Sequence, residues 1–289
     1  MLELLAFLIA FLGSFLAAAF DLKITPTEIP DEIPHTMIAL ALLLACVKSL
    51  LDFNFTPLIE SLLYGLFLLA FGFFMYRLGQ WGGGDAKVLA AVGFFSPFIS
   101  SLTKNLYFPF AVSYLLNVFI VGAAYMVLYA FVLAILNRKI FSEFFENIKS
   151  NYKFLLISLV VLIFLFSLTN IFLFNFFGLS PDFYSIFSNS VLISFLCCSL
   201  FLLWIFTKAV EEVAFKKRIP VSKLKVGDVL LESKLWEGIT EKELKKIRKS
   251  RKKFVWIKEG VRFAPTFPLA LIFTLVFGDG IFFLFSLVG

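Results

Sequence analysis

Imidazole is almost missing from this chain. His35 is the single histidine and no HExxH pair occurs, which argues against zinc or any other imidazole-built metal site. Cysteine is also scarce: Cys46, Cys197 and Cys198 all fall inside apolar runs and form no CxxC. A secreted disulfide scaffold is thereby excluded, and the three read as buried free thiols. Charged residues are only 16% of the chain, against 61% apolar and 18% aromatic, and the mean hydropathy is +0.95. That balance lies well outside the soluble globular range and identifies an integral membrane protein. No internal repeat divides the chain into matching halves with interrupted helices, which counts against a transporter. The first apolar run has no basic n-region and no small-residue cleavage site before Asp21, so it reads as a retained helix and not as a signal peptide.

Apolar runs are abundant, and several are long enough, at about 1.5 Å per residue, to cross a hydrocarbon core of about 30 Å as helices. The expected spans are 1–20, 36–51, 58–76, 86–102, 109–136, 153–177, 190–207 and 265–288. The fold class is therefore an all-α polytopic membrane protein with about eight transmembrane helices. Orientation follows from Lys and Arg. Loops after the first, third, fifth and seventh spans hold 24 of the 26 basic residues, and Lys48 and Lys104 are the two elsewhere. Those four loops are assigned to the cytoplasm, with both termini outside, so Asp21 and Asp85 emerge at one cytoplasmic face.

Between the spans, 137–152 carries Ile140, Phe141, Phe144, Phe145 and Ile148 at helical spacing among charges. It reads either as a helix lying on lipid headgroups or as an extension of the fifth span. Residues 208–264 form a small basic α+β insert: a strand in "VGDVLLES", a helix capped by Thr240 with Glu243, and a hairpin around Glu259–Gly260. Its Lys/Arg run at 242–253 reads as a solvated face or an anionic-lipid contact, with no nucleic-acid role. The expected domains are a membrane core at 1–135, a linker helix with two further spans at 136–207, the insert at 208–264, and a last membrane helix at 265–289.

An acid at the mouth of a membrane helix is costly to desolvate, which makes Asp85 in "QWGGGDAKVL" a functional candidate. A helix cap would explain a carboxylate there. It would not explain Gly82, Gly83 and Gly84, which sacrifice backbone order and suit a second backbone passing close to the acid. Peptide hydrolysis by acids needs two carboxylates sharing a proton, one to deprotonate water and one to polarise the scissile carbonyl. Asp21 is the natural partner. Asp31, in "IPDEIP", is also a turn candidate, and Asp279, in "FGDGIF", is expected about 20 Å deeper along the last span, in a kink or packing contact.

These residues resemble a known family. "GGGDAKVLAAVG" is similar to the GxGD motif of membrane aspartyl proteases, and Lys87, two residues after the acid, is similar to the form in type IV prepilin and archaeal preflagellin peptidases. "FDLKITPTEIPDEIP" resembles their first-aspartate region, with a slightly longer stretch between Asp21 and Pro30. The likeness covers residues 1–135, and "LKVGDVL", "GITEKEL" and "WIKEGVRFAPTFPLA" resemble a C-terminal extension of some archaeal members. Presenilin-like relatives are less similar, since no Pro-Ala-Leu motif occurs.

The resemblance implies Asp21 and Asp85 as the catalytic pair, Gly82 and Gly84 as the motif glycines, and no metal or organic cofactor. It implies prepilin or archaellin precursors as partners, cleaved at the cytoplasmic face of the plasma membrane. With no CxxC, peptidase activity without an N-methyltransferase is expected. Lys23, Glu28, Asp31, Glu32 and Lys87 are candidate substrate contacts, because the loop after the first span is acidic and leaders in this family are basic. The rival class is a proton-coupled transporter or channel that relays protons through Asp21, Asp85 and Asp279. Depth separates the two: a protease needs its acids at one level, and a relay distributes them.

Overall fold

The computed structural model describes residues 1–23, 29–104, 106–178, 182–233, 238–250 and 253–283. It is helical, as the apolar runs require: seven of the eight expected spans coincide with a helix or a bent pair of helices, and the eighth, expected over 265–288, holds only the shorter helix Thr266–Phe277. Among the described residues six helices are each long and apolar enough to cross a membrane: α1 (Leu2–Lys23), α2 (Glu32–Leu51), α3 (Thr56–Arg77), α6 (Phe110–Leu136), α7 (Arg138–Phe176) and α8 (Phe183–Val210). The fourth span is α4 (Gly83–Phe94) followed by α5 (Ser96–Ile99), whose first residues include Pro97; the α4 axis and the Ser96–Leu102 segment are bent by 50°. Proline cannot donate to the carbonyl four residues back, so the break falls where the sequence demands it. The last span begins as α10 (Thr266–Phe277) and stops at Gly278, whose φ of +70° is left-handed backbone.

The chain forms two compact units, residues 1–128 with 216–289, and residues 129–215. In the first, small residues set the packing. The buried stripe of α1 is Ala6, Ala10, Ser14, Ala17, Ala18 and Asp21, and its three- and four-residue spacing puts Asp21 on the face turned inward. On α3 the inward face is Ser61, Gly65, Leu68 and Gly72. A Cβ on Gly72 would stand 2.8 Å from Ala86 Cα, and one on Gly65 would stand 2.4 Å from the Phe94 ring. Close backbone approach of this kind drives helix pairing in lipid, where an interhelical hydrogen bond contributes only about 0.6 kcal/mol. The bond from Ser61 Oγ to Phe94 O, at 2.6 Å, is therefore the lesser contribution. From Ala86 to Phe94 every residue of α4 except Lys87 is buried, the mark of a helix enclosed by others.

The basic insert of this unit is a three-stranded antiparallel sheet of order β1-β3-β2, with β1 (Lys216–Pro220), β2 (Val229–Leu230) and β3 (Phe254–Lys258). Helix α9 (Glu241–Lys249) covers it through Leu244 and Ile247, and Thr240 caps the helix reciprocally with Glu243. The hairpin expected around Glu259–Gly260 is corrected: β3 ends at Lys258 and pairs with β1 and β2. The partner overlooked in the sequence, Lys216–Pro220, is basic and lacks the apolar alternation that marks a strand.

In the second unit α7 and α8 pack together, with Asn170 Nδ2 donating to Ser190 Oγ at 3.1 Å. Residues 138–152 belong to α7. They are neither an extension of the fifth span nor a separate surface helix, because Asn137 breaks the chain and caps the new helix by accepting from Lys139 N at 3.2 Å. The 39 residues of α7 run about 58 Å, nearly twice the hydrocarbon thickness, so its charged beginning extends past the bilayer. The thiols also differ from expectation: Cys46 is exposed, and Cys197 and Cys198 are partly so. Apolar residues of a membrane helix satisfy themselves against lipid as well as against a core, so an apolar context does not imply burial.

Candidate active site

Asp21 lies in the last turn of α1 and is 6% exposed. Its Oδ2 accepts a 3.1 Å hydrogen bond from Ala264 N, in the segment that leads into α10. Two residues earlier the Arg262 guanidinium donates to the carbonyl of Leu22, at the C-terminal end of α1, where a cation is favoured. Asp85 is the third residue of α4, and its Oδ2 accepts from Gly82 N at 3.1 Å. Each carboxylate thus has one oxygen fixed by a backbone N–H, and among the described residues no hydrogen-bond donor meets the other oxygen.

The three glycines before Asp85 differ in what surrounds them. Gly82 has φ −73°, ordinary for any residue, so conformational freedom is not its reason for being glycine. A Cβ there would lie 3.2 Å from Asp85 Oδ2. At Gly84 a Cβ would meet Ile29 Cβ at 3.0 Å and Cδ1 at 3.1 Å, so the space freed by this glycine holds Ile29. Gly83 is open, with Tyr76 at 3.9 Å as its nearest neighbour.

Asp21 and Asp85 line one cavity of about 850 Å³. This size suits a bound peptide segment or a small ligand. Its polar side carries Asp31, Lys87, Gln80 and the three glycines; its apolar side carries Met75, Trp81, Phe119, Met126 and Phe263. Trp81 organises that apolar side, with Phe119 stacked at 5.9 Å, Phe263 at 5.6 Å, and Phe71 and Phe267 edge-on at 6.2 Å each.

Lys87 Nζ and Asp31 Oδ1 form a 2.6 Å ion pair whose side chains are 36% and 58% exposed. A pair that exposed stabilises by about 0–1 kcal/mol, so either partner can be drawn away by a ligand at little expense. Among the other sequence candidates, Lys23 and Glu32 are exposed and do not line the cavity, and Glu28 lies outside the described residues. Asp279 is at the far end of α10, where its Oδ2 accepts from Tyr107 N at 2.5 Å and Phe108 N at 3.3 Å. Among the described residues no three His, Cys, Asp or Glu side chains converge as metal donors. Sequence reasoning quoted the segment from Gly260 to Ala264 within a C-terminal resemblance but gave it no place at the site; its local signals were Arg262, the last basic residue before the final span, and the nearby Pro265 and Pro268 of the helix start.

Residues 6–137 match the type IV leader peptidase family. Over these residues, just under half of the chain, the sequence is similar to that family. The matched segment contains Asp21 and Asp85 and ends before the insert, α10 and the residues that hold Asp21 in place. Prepilin peptidase EppA of Methanothermobacter thermautotrophicus is 26% identical to the chain over 171 residues, a match covering 55% of this chain and 44% of the relative. The match thus spans less than half the relative's length.

Proposed function

We propose that this protein is a membrane aspartyl endopeptidase that removes short leader peptides from type IV pilin-like or archaellin precursors, with Asp21 and Asp85 as its catalytic pair. The observation that carries this reading is the cavity both acids line, each tethered through one oxygen to a backbone N–H. Two adjacent like charges cannot both ionise cheaply, so the pair holds one proton between them. The ionised member takes a proton from water as its oxygen adds to the scissile carbonyl carbon, and the protonated member donates to the carbonyl oxygen. Collapse of the tetrahedral adduct breaks the C–N bond and delivers a proton to the departing amine nitrogen. Water is consumed, and the leader leaves with a new carboxylate.

The leader approaches across the polar side of the cavity. Basic residues before the scissile bond compete with Lys87 for Asp31, and Glu28 and Glu32, acids near it in sequence, add attraction from farther out. The cavity opens to the cytoplasm on the charge distribution, since 24 of 26 basic residues fall in the loops assigned to that side. Glu3 and Lys48, paired at 3.0 Å, mark the opposite ends of α1 and α2.

The test is cleavage of a leader-bearing precursor supplied to sealed vesicles of each orientation containing the purified protein. Release of the leader is expected where the face bearing Lys245 is accessible, and in both populations once detergent opens them. Cleavage confined to the opposite orientation contradicts the assignment, and absence of cleavage under every condition removes the peptidase reading.

A further inference from the structure

We infer that the strap Arg262–Ala264 is a positioning element of the acid pair, so that the insert preceding it is part of the catalytic apparatus although it lies outside the family segment. This inference rests on the function proposed above. The strap touches both halves of the site. Ala264 N holds Asp21 Oδ2 across 243 residues of sequence, and Phe263 packs against Trp81, the residue immediately before the glycines of Asp85. Three supports fix it in turn. Arg262 donates to the Leu22 carbonyl, Tyr125 Oη donates to the Arg262 carbonyl at 2.9 Å, and the Phe263 ring fills the space over Gly122, where a Cβ would lie 3.0 Å from it.

The strap's origin gives it stiffness. Four residues before Arg262 is Lys258, the end of β3, which is the central strand of the sheet and pairs on both sides. Downstream, Thr266 N bonds to Phe263 O at 2.9 Å and starts α10, which packs against α1. The orientation of the Asp21 carboxylate is therefore set from outside its own helix. A hydrogen bond to an ionised oxygen is short-ranged and directional, and acid–base chemistry tolerates little displacement.

The test uses the full chain in vesicles and a leader-bearing precursor. Arg262→Ala removes the anchor to α1 without altering a cavity-lining side chain. Its kcat is expected to fall about 10- to 100-fold, the scale of an ångström misplacement of a reacting group. KM should stay within about twofold of wild type, the pattern of an interaction made only in the transition state. Arg262→Lys, which keeps a donor and a charge, should recover most of the loss.

A second readout does not use activity. In a chain with Cys46, Cys197 and Cys198 replaced, Asp21→Cys should be alkylated several-fold faster when Arg262→Ala is added. Wild-type kcat in Arg262→Ala, a loss confined to KM, no recovery by lysine, or an unchanged alkylation rate each overturns the inference. An inert wild-type protein would remove the proposed function alone, and the alkylation rates would still decide the strap.

Discussion

Asp85 and Asp279 stand at opposite ends of the same helical unit in similar company, an acid behind glycine in an apolar run. Their surroundings differ in kind. Asp85 borders a cavity it shares with a second acid, whereas Asp279 Oδ2 takes two backbone N–H groups from the loop before α6 and its Oδ1 is sealed from solvent with no partner among the described residues. Beside it, Asn117 donates to Thr274 Oγ1 at 2.9 Å and Gly278 O at 2.8 Å and accepts from Gly280 N at 3.0 Å. Asp279 ties a broken helix to a loop. The two acids thus differ in that one borders a cavity and the other is sealed within the packing, and glycine stands beside the acid at both ends.

The comparison breaks most visibly in activity. Asp85→Asn should lower leader cleavage by about 10³-fold or more, within the range for losing a general acid or base. Asp279→Asn, whose amide oxygen still accepts, should stay near wild type. Equal losses in matched membranes would show that the two ends are not chemically distinct.

Steric contrasts come next. Gly84→Val drives side-chain atoms into Ile29, already 3.0 Å from the first added carbon, and should lower kcat/KM by about tenfold or more. Gly83→Ala meets nothing closer than 3.9 Å and should leave cleavage near wild type. If both variants cleave alike, the glycines do not act through the space measured around them.

Asp279→Ala sharpens the structural end. It strands the Tyr107 and Phe108 N–H groups, a destabilisation of about 1–3 kcal/mol read as a lower apparent Tm in detergent, with cleavage per folded molecule unchanged. An unaltered Tm would remove the tie. The smallest effect belongs to Asp31→Asn. Breaking its exposed pair with Lys87 should alter stability by less than about 1 kcal/mol and reduce cleavage of basic leaders most at low ionic strength. A loss indifferent to salt and to leader charge would show that Asp31 does not attract the leader.

How far the sequence could be read followed from the range of each interaction. Helices in lipid are one-dimensional objects selected by local hydropathy, so seven of the eight expected spans coincide with long helices or a bent pair, while the last holds the shorter α10. The bend after α4 was signalled by Pro97, and the start of α7 by Asn137, a preferred cap residue misread because the apolar spacing on either side is continuous. That Asp21 and Asp85 would come together was legible because hydrolysis by acids needs two carboxylates at one level, and the two line one cavity. The strap was not, since Ala264 reaches Asp21 through a backbone N–H that every residue except proline carries. The role of Gly84 was half legible. Its smallness pointed to close approach, but the neighbour that approaches is Ile29 of the chain itself.

In the proposed mechanism Asp21 and Asp85 act as one unit. Rates of leader cleavage for wild type, Asp21→Asn, Asp85→Asn and the double variant, measured at equal protein in the same vesicles, test it most directly. Residues that share one proton fail together, so each single variant should lose about as much as the double. Substantial cleavage by either single variant, or losses that multiply in the double, would contradict a shared-proton pair.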